Sequence, residues 1–181
     1  CIEEVGIGFC FAPRFHPALR FAGPVRRELG VPTTFNFLGP LSNPAGVGRQ
    51  SVGVSDPAMA ETVVGALAEL GRTHVMVFHG HDGLDELTTT GRSTVHELRG
   101  GEVRRIEVDP ATLGLPRARL DDLVGGDAAA NAAIVHDVLG GAEGPVRDIV
   151  CLNAAAALVV ADLAEDLAVG VDLARAVIDD G

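Results

Sequence analysis

An aspartate and a glutamate stand side by side at Asp85-Glu86, within the stretch His79-Gly80-His81-Asp82-Gly83-Leu84-Asp85-Glu86 that continues into Leu87-Thr88-Thr89-Thr90. They follow a short apolar run, His74 to Phe78, whose length, β-branched valines and abrupt end are those of a buried strand. The two carboxylates therefore fall on a glycine-jointed loop beyond a strand's carboxyl end. Open α/β sheets place their ligands there. Two neighbouring acids with few other fixed ligands suit Mg²⁺, which keeps several waters and usually arrives with a substrate's phosphates. The same spacing also describes a solvated loop whose acids cap the next element, and spacing alone leaves both readings open.

A second group is basic: Arg14, His16, Arg20 and Arg26. Arg26 falls on a helix face and His16 on the loop just before that helix, so both can reach one site. A guanidinium meets a planar carboxylate bidentately, and an imidazole can add a further hydrogen bond. Arginine on an amphipathic helix is by default a solvated face, so this pairing too has a bland alternative. Gly125-Gly126-Asp127, followed by Asn131, is not read as a phosphate loop. Asp127 sits where a helix N-cap belongs, and its charge competes with phosphate for the same free N–H groups. Asn153, inside an alanine-rich helix, reads as a satisfied core amide. His74, His96 and His136 read as structural or surface residues; His79 and His81 flank Gly80 on the acidic loop, where they can either support the acids or stand at the loop edge without a function.

These groups must be positioned by regular elements. Residues 6 to 12 are expected to form a buried strand, and Ala18 to Leu29 a helix stopped by Gly30. From Val31 to Gly48 the chain is punctuated by Pro32, Gly39, Pro40, Asn43, Pro44, Gly46 and Gly48; irregular stretches of that length are usually functional. Ser51 to Val54 reads as a strand. Asp56 caps a helix that starts at Pro57 and ends near Gly71, and His74 to Phe78 closes a strand–helix–strand unit whose two strands should be parallel neighbours. Thr94 to Arg99 and Glu102 to Val108, joined at Gly100-Gly101, read as a hairpin. Helices are expected over roughly 127–139, 148–161 and 173–178. The fold class that follows is α/β: one domain with a central mixed, largely parallel sheet surrounded by helices.

Composition limits the functions open to such a domain. The 181 residues are 47% hydrophobic but only 4% aromatic, with no Trp and no Tyr, so the core must come from Ala, Val, Leu and Ile, and base-stacking platforms are scarce. A formal net charge of −11 argues against nucleic-acid and anionic-membrane partners. All 14 basic residues are arginine, which excludes lysine Schiff-base and P-loop lysine chemistry within the chain. Cys1, Cys10 and Cys151 are widely spaced and set among apolar neighbours, and read as small core residues in a reducing compartment. No run is long enough to span a bilayer. The chain opens on Cys1 and runs straight into an apolar segment, so it is expected to be a piece of a longer protein.

Four segments taken together resemble one family. They are Phe15-His16-Pro17-Ala18; Arg26-Arg27-Glu28-Leu29-Gly30 leading to Thr33-Thr34-Phe35-Asn36-Phe37-Leu38-Gly39-Pro40-Leu41-Ser42-Asn43-Pro44; His79-Gly80-xx-Gly83-Leu84-Asp85-Glu86; and Gly125-Gly126-Asp127 with Asn131-Ala132-Ala133. Their order and spacing across nearly the whole chain resemble the anthranilate phosphoribosyltransferases of tryptophan biosynthesis. The resemblance implies that residues 1–181 are a glycosyltransferase-like α/β catalytic domain, like the large domain of nucleoside phosphorylases and phosphoribosyltransferases, incomplete at both ends. The family's glycine-rich diphosphate loop, its Lys-His-Gly-Asn segment and a small helical domain would lie upstream.

The resemblance further implies transfer of the phosphoribosyl group from 5-phosphoribosyl 1-diphosphate to the amine of anthranilate. Asp85 and Glu86 would hold Mg²⁺, while Arg26 would meet the anthranilate carboxylate with His16, Gly39 and Pro40 lining the same pocket. No side chain is assigned as acid, base or nucleophile. A cytoplasmic homodimer, paired through the helical domain, is the expected setting, with no nucleic-acid or membrane partner. The alternatives are a non-catalytic fragment or homologue that keeps metal and ligand binding, and, further off, a nucleoside phosphorylase or a nucleic-acid-binding relative. The phosphorylases use a lysine that this chain lacks, and a nucleic-acid binder wants a basic face.

Overall fold

The computed structural model describes residues 1–31 and 33–181; Pro32, one of the residues that punctuate the irregular stretch, lies outside the described residues. Its internal contacts divide the chain into two compact units, Cys1–Val47 and Gly48–Gly181.

The first unit consists of short helices. Helix α1 (Ile2–Val5) and helix α2 (Ala12–Phe15) precede a 3-10 turn over Pro17–Phe21, helix α3 (Ala22–Leu29), a second 3-10 turn over Thr34–Asn36, and helix α4 (Leu38–Leu41). Gly30 ends α3 in the left-handed conformation, with its N–H returned to Arg26 O, as the sequence predicts. The helix expected over 18–29 is thus a 3-10 turn running into an α-helix. The expected strand over 6–12 is not present: Ile7, Phe9 and Phe11 are exposed, and residues 7–11 carry no regular structure. An apolar run becomes a strand only when a ladder satisfies its N–H and C=O groups, and every strand of the described sheet lies beyond residue 48. The same exposure corrects the reading of two cysteines: Cys1 and Cys10 are exposed, and only Cys151 is a core residue.

The second unit is the expected mixed sheet between helices, but with one parallel pair and two antiparallel pairs it is not largely parallel, because the β3–β4 hairpin and its pairing with β2 outnumber the single strand–helix–strand unit. Strand β1 (Arg49–Gly53) leads through a 3-10 turn at Pro57–Met59 and helix α5 (Ala60–Glu69) to strand β2 (His74–Gly80), which pairs with β1 in parallel, Val52 opposite Val77. Asp56 caps the turn, its side chain accepting from Ala58 N–H. Strands β3 (Ser93–Arg99) and β4 (Glu102–Val108) form the expected hairpin, and β3 runs antiparallel to β2, giving the order β1-β2-β3-β4. Every residue of β2 is buried, which is why that strand reads as a continuous apolar run. Edge strand β4 instead carries Glu102, Arg104, Arg105 and Glu107, charges that protect an open edge.

Helices α6 (Ala128–Leu139), α7 (Pro145–Val160) and α8 (Leu167–Asp180) follow. Successive strand residues face opposite ways: Met76 and Phe78 join a core with Leu152, Ala155, Ala156 and Val159 of α7, whereas α5 lies against β2 and β3. That core is mostly Ala, Val and Leu, as expected; Met76 and Phe78 join it, and the expected isoleucine is not among its buried residues. At the amino ends of β1 and β2, Asp162 just after α7 pairs with Arg49, Arg99 and His74, and His74 Nε2 also lies 3.0 Å from the buried Glu97 carboxylate. The strands' opposite ends are left for the acidic loop. No helix among the described residues is long and apolar enough to cross a membrane.

Candidate functional site

The loop from Gly80 to Ser93 closes on itself. Gly80 N–H donates to Leu84 O at 2.9 Å, and Gly83 N–H to Gly80 O at 2.9 Å. Asp82 is its internal brace: the Thr88 and Thr90 hydroxyls both donate to Oδ2, and Leu84 N–H donates to Oδ1 at 3.1 Å. Burial alone would raise its pKa, but these donors outweigh burial and hold the carboxyl below the ordinary aspartate range. Both Asp82 oxygens are therefore engaged by the loop itself. His79 is buried, and its Nδ1–H donates to Val54 O at 2.8 Å, joining the carboxyl ends of β1 and β2. His81 Nε2 lies 2.9 Å from Thr94 Oγ1 and 3.3 Å from Glu107. Both flanking histidines thus have structural partners.

Asp85 and Glu86 are different. Both are exposed, and among the described residues neither carboxylate meets a cation or a hydrogen-bond donor. Glu86 is pushed above the ordinary glutamate range, first by partial withdrawal from water and second by the Asp85 charge beside it. Two uncompensated adjacent carboxylates, one already disfavoured as an anion, form a pair that a divalent cation would relieve. No group of three or more His, Cys, Asp or Glu side chains among the described residues could hold a metal unaided. A cation here would complete its shell with water and ligand oxygens, which is how Mg²⁺ binds and softer metals do not. The donor set fits Mg²⁺.

Two contacts fix this dipeptide that sequence reasoning missed. The Asp85 backbone lies so close over Gly53, at the end of β1, that a Cβ built there would sit 1.6 Å from Asp85 O. Next along the loop, Leu87 N–H donates to Asn153 Oδ1 and Asn153 Nδ2 donates back to Leu87 O, each at 2.9 Å; Nδ2 also reaches Ile149 O at 3.0 Å. Asn153 is a satisfied amide as expected, but its partner is the acidic loop, 66 residues away in sequence. No local signal could have revealed that. Gly125-Gly126 behaves as read: Asp127 Oδ1 accepts from Ala130 N–H at 2.9 Å, and Asn131 closes the turn by accepting from Gly126 N–H at 2.8 Å.

The basic group lies in the first unit. Arg20, Arg26, Arg27 and Asn36 line an open cleft of about 650 Å³ together with Gly23, Pro24, Gly30 and Val31. The Arg26 guanidinium lies over the Phe35 ring at 5.9 Å and that of Arg20 over Phe21 at 4.7 Å, so each faces an aromatic ring, and among the described residues neither is paired with an acid. His16, half-buried at the joint between α2 and the 3-10 turn, and Gly39 and Pro40, in α4, lie outside the lining of that cleft. A positively charged cleft beside an aromatic ring can take a carboxylate borne on a flat apolar body.

The whole chain, residues 1–181, matches the family model described as glycosyl transferase family, a/b domain. The anthranilate phosphoribosyltransferase of Chloroflexus aurantiacus is 54% identical over the full chain, which covers 54% of that protein. Among solved structures, the anthranilate phosphoribosyltransferase of Thermus thermophilus superposes with a TM-score of 0.90 at 44% identity, covering 98% of this chain and 52% of that one. The Saccharomyces cerevisiae enzyme, solved in complex with PRPP and Mg, gives 0.87 at 28% identity, with 95% and 50% covered. The chain spans about half the length of the curated relatives it matches.

Proposed function

The chain belongs to the glycosyl transferase family through its a/b domain, and from that premise we propose that the full-length protein transfers the phosphoribosyl group of 5-phosphoribosyl 1-diphosphate to the amine of anthranilate. The observation that carries the proposal is the Asp85-Glu86 pair: exposed, unpartnered among the described residues, and presented on a braced loop at the carboxyl ends of parallel strands. Arg26 adds a carboxylate receptor of the kind an aromatic acid needs. Relatives named for this reaction, one of them solved with PRPP and Mg, support the same substrates.

In this reading Asp85 and Glu86 hold Mg²⁺. The metal supplies positive charge to a diphosphate that leaves the ribose anomeric carbon. The chain's own work is to bind and to orient. Arg26 takes the anthranilate carboxylate, leaving the amine free to be directed at the anomeric carbon, and the Phe35 ring lies against the guanidinium. The diphosphate departs as a stabilised anion and needs no proton, while the proton that the amine sheds as the N–C bond forms and the C–O bond breaks passes to water, in keeping with a site that offers two carboxylates and no nucleophile–base pair. Action in the cytoplasm, which the three free cysteines suit, and assembly as a homodimer belong to the same proposal.

The test is turnover of anthranilate by the full-length protein, followed by loss of anthranilate fluorescence. Formation of N-(5-phosphoribosyl)anthranilate is expected only with Mg²⁺ and 5-phosphoribosyl 1-diphosphate present. Asp85→Asn with Glu86→Gln should lower kcat/KM by about 100- to 1,000-fold, the usual cost of losing a preorganised electrostatic group. Full activity in that double variant would reject the assignment.

A further inference from the structure

Asp85 and Glu86 have no side-chain partner among the described residues, so their direction depends on what holds the backbone that carries them. The peptide is held at two successive points by two different elements. On one side, the Asp85 carbonyl rests in the space left by the missing Gly53 side chain at the end of β1. On the other, Asn153 of α7 treats Leu87 as a strand would, accepting from its N–H and donating to its C=O at 2.9 Å each. The amide has one orientation that serves, because Leu87 N–H needs its oxygen while Leu87 O and Ile149 O both accept from its Nδ2. Leu87 itself is fully buried, so its N–H and C=O both lose their partner if the amide is removed.

We infer that Asn153 and Gly53 are positioning residues for metal capture: together they aim the two carboxylates, and loosening either one weakens the divalent-cation site without unfolding the domain. The inference rests on the reading of Asp85 and Glu86 as metal-holding groups. It is specific to them, since Asn153 touches the loop one residue past Glu86 and Gly53 meets the Asp85 carbonyl itself. Groups that orient metal ligands without touching the metal typically cost about 10- to 100-fold in metal affinity when removed.

The experiment compares full-length Asn153→Ala, Gly53→Ala and Asp85→Asn with the parent protein. Calorimetric titration of Mg²⁺ in the presence of 5-phosphoribosyl 1-diphosphate measures binding apart from turnover, and steady-state kinetics measure KM for each substrate. Asn153→Ala and Gly53→Ala should both weaken Mg²⁺ binding by about 10-fold or more and raise the KM for the sugar diphosphate, with the KM for anthranilate unchanged and cooperative unfolding retained. Should Asn153→Ala fail to fold, Asn153→Gln, which keeps the amide and alters only its reach, is read in the same way. Mg²⁺ binding unchanged in the Asn153 and Gly53 variants but lost in Asp85→Asn would overturn the positioning inference and leave the metal reading standing. Mg²⁺ binding unchanged in Asp85→Asn would overturn both. Equal worsening of both KM values with loss of cooperative unfolding would show a purely structural role.

Discussion

At the scale of single residues, the two acids at positions 82 and 86 are tuned in opposite directions by their surroundings, and the difference separates a carboxylate bound into the loop from one without a partner among the described residues. Asp82 is held ionised by Thr88, Thr90 and the Leu84 N–H, so its stabilising contribution is complete above the unfolded-state pKa and is lost as pH falls through the depressed folded value. Glu86 has the reverse sign. Its raised folded pKa means that the penalty for its charge is absent in acid and appears as pH rises through the folded value. In metal-free protein, Glu86→Gln should therefore be more stable than the parent at neutral pH, with the difference vanishing in acid; urea unfolding across that range measures it. A difference independent of pH would mean that Glu86 does not titrate as described. Arg26→Ala should raise the anthranilate KM by roughly 10- to 100-fold, as for one lost charge-assisted contact, and leave the KM for the sugar diphosphate little changed. The reverse selectivity would place Arg26 in the other half of the site.

At the scale of elements, each part of the acidic site comes from a different kind of segment. Strand β2 delivers the loop, β1 supplies its seat and α7 its clamp. The β3–β4 hairpin was legible in full, because Gly100 and Gly101 have φ of 60° and 83°, the pair of left-handed residues that a two-residue hairpin turn needs. Gly101→Ala should cost about 1–2 kcal/mol of unfolding free energy through that conformation alone, read as a shifted urea midpoint with an unchanged slope. An unshifted midpoint would mean that the turn relaxes to another type. The segment 6–12 was misread for a reason that also belongs to this scale. Apolarity marks a segment that gains by leaving water, whereas a strand additionally requires a partner strand, and Ile7, Phe9 and Phe11 remain exposed without one.

At the scale of the whole molecule, the two units differ in what holds them. Residues 48–181 enclose a core of fully buried side chains such as Leu67, Val77, Leu98 and Leu152, whereas none of the described residues in 1–47 is buried. Amide protection tracks buried apolar contact, so hydrogen exchange of the 181-residue chain should show slow amides in β2, β3 and α7 and fast exchange throughout 1–47; slow amides in α3 would contradict the difference. The sequence by itself determined what depends on neighbouring residues: the parallel β1–α5–β2 unit, the caps at Asp56 and Asp127, the Gly-Gly turn, and the adjacency of Asp85 and Glu86. Residue spacing along one short segment carries all of these. Only the tertiary structure decided that Asp82 is a brace, that Gly53 is a seat, and that Asn153 grips Leu87 from 66 residues away. Those roles depend on close approaches between segments remote in the chain, where a single missing Cβ or one side-chain amide matters through its position in space and leaves no periodic trace in the sequence.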